Sequence, residues 1–419
     1  MQKIIYKNDG LIVSKKSILL LVIFFVSFIL IMLPDSIKNM FCLYKMTTSD
    51  LPLVYTYNYY FSIFDLIIIL VGLFYYKRSK IIRCMPVVFA ILTINLFRYI
   101  FGISNVIELN SYEMILMFIE SVCWTSFLLY YFNNEEKVCY LFNLFVILIF
   151  FTQVLQFALG NFSLDGRVSA ISLGPGATAE IFIKYELWFL FCYKKKNKSY
   201  VPFVMSLLGM VLTGSRSNML TLVLIIIIFS FQIWKQSKET KTKGKLSMLL
   251  MLIAIGIVIL FTSNTSFDFI NRFTALFEND LSISIVEDSS YLGRIRSIIG
   301  GFEIWENNPL GISCSIYYLE LRSLYQFNME YPHSALLCYI LLWSPLVAIP
   351  IFVYLVFILI KLIKYKDTSW ILLAFILVKY LINSAAILYV SVYSLDILFF
   401  SYFLMKLNKK NDRLKFETN

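Results

Sequence analysis

Proton transfer near neutral pH falls to one side chain here, because the chain holds a single histidine, His333. Imidazole has the unperturbed pKa nearest neutrality, which suits it to general acid–base work. His333 stands in Glu330-Tyr-Pro-His-Ser-Ala-Leu-Leu337, where the longest polar stretch of the chain meets an apolar run. An aqueous substrate can reach that boundary but not the interior of the run. Pro332 restricts the backbone just before the histidine, and Glu330 and Ser334 are close enough in sequence to orient its ring. The alternative is a histidine at a helix start that does no more than bond a loop carbonyl.

Three arginines occupy turns or helix starts. Arg167 lies in Asp165-Gly-Arg-Val-Ser169, ahead of Gly174-Pro-Gly176. Arg216 lies in Thr213-Gly-Ser-Arg-Ser-Asn218, between two apolar runs, and Arg294 lies in Gly293-Arg-Ile-Arg296. A guanidinium is always charged and offers a planar fork of donors matched to phosphate oxygens. Several of them converging on one cavity would bind a diphosphate. Ser215 and Asn218 beside Arg216, with Arg296 and Glu303 further along, are the polar residues placed to contact the same substrate. Arg167 and Arg296 read equally well as side chains reaching lipid headgroups. No metal and no organic cofactor are expected. One histidine without acidic or cysteine helpers at ligand spacing does not make a zinc site, and there is no phosphate loop, dinucleotide fingerprint or Gly-x-Ser-x-Gly elbow. The seven cysteines read as packing residues, with a bridge between Cys42 and Cys314 left open.

The elements that must position these residues are apolar helices. With 59% hydrophobic and 15% charged residues in 419, the chain is too poor in charge for a large soluble domain. Hydropathy predicts an all-α polytopic membrane protein with about twelve spans, at 17–33, 58–76, 84–103, 112–132, 138–159, 177–193, 200–213, 217–234, 246–262, 335–360, 369–388 and 390–406. The pair within 200–234 is short and is compatible with a re-entrant segment. The net charge of +11 does not point to a nucleic-acid partner. Lysines cluster in the short links, at 77–83, 194–198, 235–245, 361–366 and 406–415, and with twelve spans all of these fall on the cytoplasmic side with both termini.

The opposite side carries one large loop, 263–332, embedded in a single domain spanning 1–419. It holds nine acidic residues and four arginines but no lysine. Inside it, Ile295, Ile298, Ile299, Phe302 and Trp305 recur at helical spacing. They predict an amphipathic helix over 291–305 that lies on the membrane surface or against the bundle and ends at Asn307-Asn-Pro-Leu-Gly311. Charges within the spans gather in their outer halves: Asp65, Arg98, Glu113, Glu120, Glu180, Lys184, Lys379 and Asp396. Pairing is expected of Asp65 with Arg98, Lys379 with Asp396, and Glu180 with Lys184. Their joint placement suggests a polar cavity open to the outside.

The order Thr213-Gly-Ser-Arg-Ser-Asn218, then Gly293-Arg-Ile-Arg296 with Phe302-Glu-Ile-Trp-Glu-Asn-Asn-Pro-Leu-Gly311, then Tyr331-Pro-His-Ser-Ala-Leu336 resembles the O-antigen ligase/polymerase superfamily. These are polytopic bacterial glycosyltransferases, GT-C-like, with a large external loop between late spans. The motifs cover roughly 213–345; the N-terminal half matches only in hydropathy. The resemblance implies that His333, Arg216 and Arg294 are the catalytic residues, assisted by Arg167, although Ser334 replaces the family's frequent asparagine after the histidine. It implies a Wzy-type polymerase of the bacterial cytoplasmic (inner) membrane. Such an enzyme joins undecaprenyl-diphosphate-linked repeat units into O-antigen or capsule, with membrane lipids, a chain-length regulator and a flippase as partners. The ligase branch, which transfers finished glycan to lipid A-core or protein, is the near alternative. A secondary transporter is the distant one, disfavoured by the long loop that ends in the one histidine.

Overall fold

Long runs of leucine, isoleucine and phenylalanine with few breakers fold as helices, and the described part of the chain is mostly helical. The computed structural model describes residues 40, 42–47, 58–79, 93, 94, 97, 119, 123, 127, 130, 135–161, 167–171, 174–192, 199–236, 289–312, 323–324, 334–382, 399, 402, 403, 406 and 407. The expected spans at 17–33, 84–103, 112–132, 246–262 and 390–406 lie wholly or largely outside these residues. Among the described residues, one helix is long and apolar enough to cross a membrane by itself, Cys139–Ala158. It lies in α2 below.

Two strands precede the first helix. β1 (Cys42–Thr47) and β2 (Asn58–Ser62) pair antiparallel, Thr47 opposite Asn58 and Lys45 opposite Tyr60, with an irregularity between Cys42 and Tyr44. The span expected over 58–76 is corrected accordingly: its first five residues are strand, and α1 is Ile63–Ser79. The start of α1 has a local cause. Asp65 accepts hydrogen bonds from the Ser62 backbone N–H and hydroxyl, each at 2.6 Å, while Ser62 Oγ accepts from Asp65 N–H at 3.4 Å. That reciprocal pairing satisfies donors a helix start leaves open. Asp65 is thus engaged at a cap; its expected partner Arg98 lies outside the described residues. Cys42 is a free thiol, so the bridge to Cys314 is not formed.

The bundle follows. Its helices are α2 (Glu135–Ala158), α3 (Pro175–Leu187) running into a π-helical turn at Trp188–Cys192, α4 (Val201–Thr213), α5 (Arg216–Gln236), α6 (Ser289–Asn307), α7 (Ala335–Trp343), α8 (Pro345–Lys364) and α9 (Trp370–Ile382). The core runs along α3. Phe182, Tyr185, Trp188 and Phe189 are fully buried against Phe142 of α2, Phe203 of α4, and Phe399 and Tyr402 near the C-terminus. Outward residues stay apolar too: Tyr140, Phe151, Leu155 and Phe157 on α2 are exposed. A stripe of that kind suits lipid rather than water.

Both ends of the bundle are tied by polar bonds. At one end the π turn frees carbonyls that other segments satisfy. Thr368 Oγ donates to Phe191 O, and Tyr402 OH donates to Cys192 O at 3.4 Å. Asp367, in the link between α8 and α9, accepts from Ser369 N–H and Oγ at 2.9 and 2.7 Å and from Lys406 Nζ at 3.2 Å. Burial pushes the Asp367 carboxyl up, but the Ser369 N–H, the Lys406 charge and the Ser369 hydroxyl outweigh it and hold it below the usual aspartate value. The other end carries the candidate site.

Candidate functional site

The site begins at a tight reversal. Gly214, at φ 59 and ψ 23, ends α4 in the left-handed conformation that glycine adopts without strain, and its N–H donates to Val211 O at 3.1 Å. Thr213 Oγ accepts from Ser215 N–H at 3.4 Å, and Ser215 O takes the Met219 N–H at 2.9 Å as the first bond of α5. Arg216 is the first residue of that helix. Its side chain lies outside the described residues, as do the side chain of Arg294 and all of His333.

The Arg167 segment is brought to the same place. Val168 N–H donates to Leu212 O at 3.1 Å, satisfying a carbonyl in the last turn of α4. Gln153 of α2 donates to Val168 O at 3.0 Å and to Gly209 O at 2.9 Å, so one amide staples three segments. Thr178 accepts from Ala170 N–H at 3.1 Å and holds the same strip against the start of α3, where Pro175 occupies the first turn. Two turns far apart in sequence therefore meet at one end of the bundle.

Beneath them is a buried ionic chain. Glu180 lies 3.6 Å from Lys184 on its own helix and 3.7 Å from Lys379 of α9. Lys379 Nζ donates to Asn218 Oδ1 at 3.0 Å, and Asn218 Nδ2 donates to Ser215 Oγ at 3.0 Å. All five side chains are buried. The expected pair of Glu180 with Lys184 is present. Lys379 reaches Glu180 and Asn218; Asp396, its expected partner, lies outside the described residues. Neither the Lys379–Asn218 bond nor Gln153 is foreseeable from spacing, because each links helices that the sequence does not order in space. Glu186, fully buried with Ser206 Oγ 3.2 Å away, was legible as an acid within an apolar run but escaped the sequence reading.

The loop half of the site is built on a broken span. The single helix expected over 335–360 is two, α7 and α8, because Pro345 has no N–H to offer Leu341 O four residues back. Ser344, at φ 77, turns the chain at the break, and its Oγ accepts from Leu346 N–H at 3.4 Å. The freed carbonyl is not left bare. Ile312 N–H, just past α6, donates to it at 2.8 Å. Gly311, at φ 92, makes this approach possible, since a Cβ there would stand 2.3 Å from Leu341 O. Ser334, the residue after His333, caps α7 by accepting from Leu337 N–H at 3.3 Å, a bond typically worth about 1 kcal/mol.

The loop helix α6 covers the expected 291–305 and a turn more. Asn307 and Asn308 close it, donating side-chain bonds to Glu303 O at 3.2 Å and Ile304 O at 3.0 Å. Its expected placement is on the membrane surface or against the bundle, and one face packs against the protein. The face against the protein is Ser297, Gly300, Gly301 and Ile304, while Ile295, Ile299 and Phe302 are exposed. Small residues let two helices approach closely, and three of the four on this buried face are small. Arg296 and Glu303 are exposed. α6 packs on α7, α7 on α9 through Tyr339 and Tyr380 with ring centroids 6.3 Å apart, and α9 holds Asn218. The elements carrying the sequence motifs thus form one connected body.

Residues 201–341 match a family model described as Wzy_C: O-Antigen ligase. The match covers about a third of the chain and supports a likeness to the O-antigen ligase/polymerase superfamily. Members of the family are membrane-embedded, glycosyltransferase-like enzymes that act on lipid-linked glycans. No curated protein and no solved structure matches the chain.

Proposed function

We propose that this protein polymerises undecaprenyl-diphosphate-linked repeat units into O-antigen or capsular polysaccharide at the outer face of the bacterial cytoplasmic membrane. The observation that supports it best is the family match itself. Residues 201–341 include Arg216, Arg294 and His333; within that stretch α4 packs on α5 and α6 on α7, and the two pairs are linked through α3, α9 and the Lys379–Asn218 bond.

In this mechanism His333 takes the proton of an acceptor sugar hydroxyl as that oxygen attacks the anomeric carbon of the donor. The bond from that carbon to the carrier diphosphate breaks, and the lipid diphosphate leaves. One displacement inverts the anomeric centre. Arg216 and Arg294, with Arg167 assisting, hold the diphosphate and offset the charge that grows on it, the usual work of cationic clamps at a leaving group. These fixed cations take the place of a divalent metal, so activity persists in EDTA. Arg296, exposed on α6, and Glu303 contact the glycan or the membrane surface.

The description of the matching family as a ligase favours a second reading, in which the same transfer ends on lipid A-core or protein. One experiment separates the two. A strain lacking the gene should accumulate single repeat units on the carrier lipid if the protein is the polymerase. Full-length polymer retained on the carrier would mark it as the ligase.

A further inference from the structure

We infer that Lys379 is a positioning residue for Arg216, acting through Asn218 and Ser215. This rests on the diphosphate role proposed for Arg216 and adds the device that holds it in place. An ammonium has only donors, so the one side of the Asn218 amide it can meet is the carbonyl. With Oδ1 turned to Lys379 at 3.0 Å, the amide nitrogen must face Ser215 Oγ, also at 3.0 Å. Ser215 in turn sets the first bond of α5 and directly precedes Arg216. A charge on α9 therefore decides the rotamer of an amide on α5 and, through it, the turn.

Helix packing alone does not call for this arrangement. Apolar side chains of the same volume would join α3, α5 and α9 without the desolvation cost of three buried ions. What the ions add is direction. Glu180, 2% exposed, lies between Lys184 and Lys379 and fixes where the ammonium stands. The chain of contacts runs from α3 through α9 to the reversal at 213–216, and it ends on the residue proposed to meet phosphate.

The test is binding of undecaprenyl diphosphate to the full-length protein in lipid nanodiscs. Arg216→Ala should bind about ten- to a hundredfold more weakly than wild type, the scale of one lost charge-assisted bond. Lys379→Met should lose about tenfold, and its Glu180–Lys184 pair stays intact, which favours folding. Asn218→Ala interrupts the same chain without touching either lysine and should behave alike, so the inference stays testable if Lys379→Met does not assemble. The decisive readout is the double variant Arg216→Ala/Lys379→Met, which should bind no more weakly than Arg216→Ala alone. Lys361→Met, at the far end of α8, should bind as wild type. A double variant weaker by the product of both losses, or Lys379→Met and Asn218→Ala binding as wild type, overturns the positioning role while leaving the site reading intact. Undiminished binding by Arg216→Ala overturns the diphosphate assignment and this inference with it.

Discussion

Replacing Gly311 by alanine should detach the loop helix from the bundle without unfolding the protein. The added Cβ would stand 2.3 Å from Leu341 O and 3.3 Å from Ile340 O, both backbone atoms that cannot swing aside. A non-glycine residue at φ 92 costs about 1–2 kcal/mol. Breaking the Ile312–Leu341 bond leaves a buried carbonyl unpaired, at about 1–3 kcal/mol more. The sum, about 2–5 kcal/mol, falls short of most folds' total stability but is ample to open one contact locally. Spheroplasts exposing the loop to trypsin should show faster cleavage at α6 in Gly311→Ala, and the carrier lipid should carry shorter glycans. Pro345→Ala should act in the same direction and more weakly, since it gives Leu341 O a rival donor within the helix. Cleavage and glycan length equal to wild type in both variants would refute the clasp.

Two further outcomes follow from particular side chains. Arg216→Lys should remain impaired although the charge survives, because lysine presents a point charge where a diphosphate needs a fork; wild-type glycan length at normal protein level would make the fork unnecessary. Asp367→Asn should lower the unfolding temperature at pH 7. Since the folded carboxyl sits below the usual value, its contribution is present above about pH 4 and fades as acid titrates it in the fold. The gap between variant and wild type should therefore close on acidification, and a gap unchanged down to pH 3 would remove the carboxylate charge from the account.

Much of the site frame was legible from sequence. The spacing of Ile295, Ile298, Ile299, Phe302 and Trp305 located α6 within two residues at either end, and Gly214 marked the reversal now seen between α4 and α5. Which face of α6 meets the protein was left open by the sequence, between membrane surface and bundle, for a physical reason. Hydropathy ranks Ile299 above Gly300, whereas close helix approach selects Gly300, Gly301 and Ser297. The break at Ser344–Pro345 had its signal in the proline and was passed over, because the apolar run continues across it. β2 was hidden for a related cause: Tyr59, Tyr60 and Phe61 suit a strand as well as a span, and their pairing partner is eleven or more residues away. The Lys379–Asn218 bond spans 161 positions, and no periodicity carries such a distance.

The central claim is glycosyl transfer between lipid-linked repeat units with His333 as the base. Its most direct measurement is extension in vitro: purified full-length protein in nanodiscs, supplied with repeat units extracted on their carrier lipid from a strain lacking the gene, in EDTA. Wild-type protein should produce a ladder of lengths, its rate falling on the acidic side as the imidazole protonates. His333→Ala and His333→Gln should leave single units, a loss of about 10²–10⁴-fold, since neither side chain can take the hydroxyl proton. A ladder made by His333→Ala at the wild-type rate, or no ladder from wild-type protein given the same units, would contradict it.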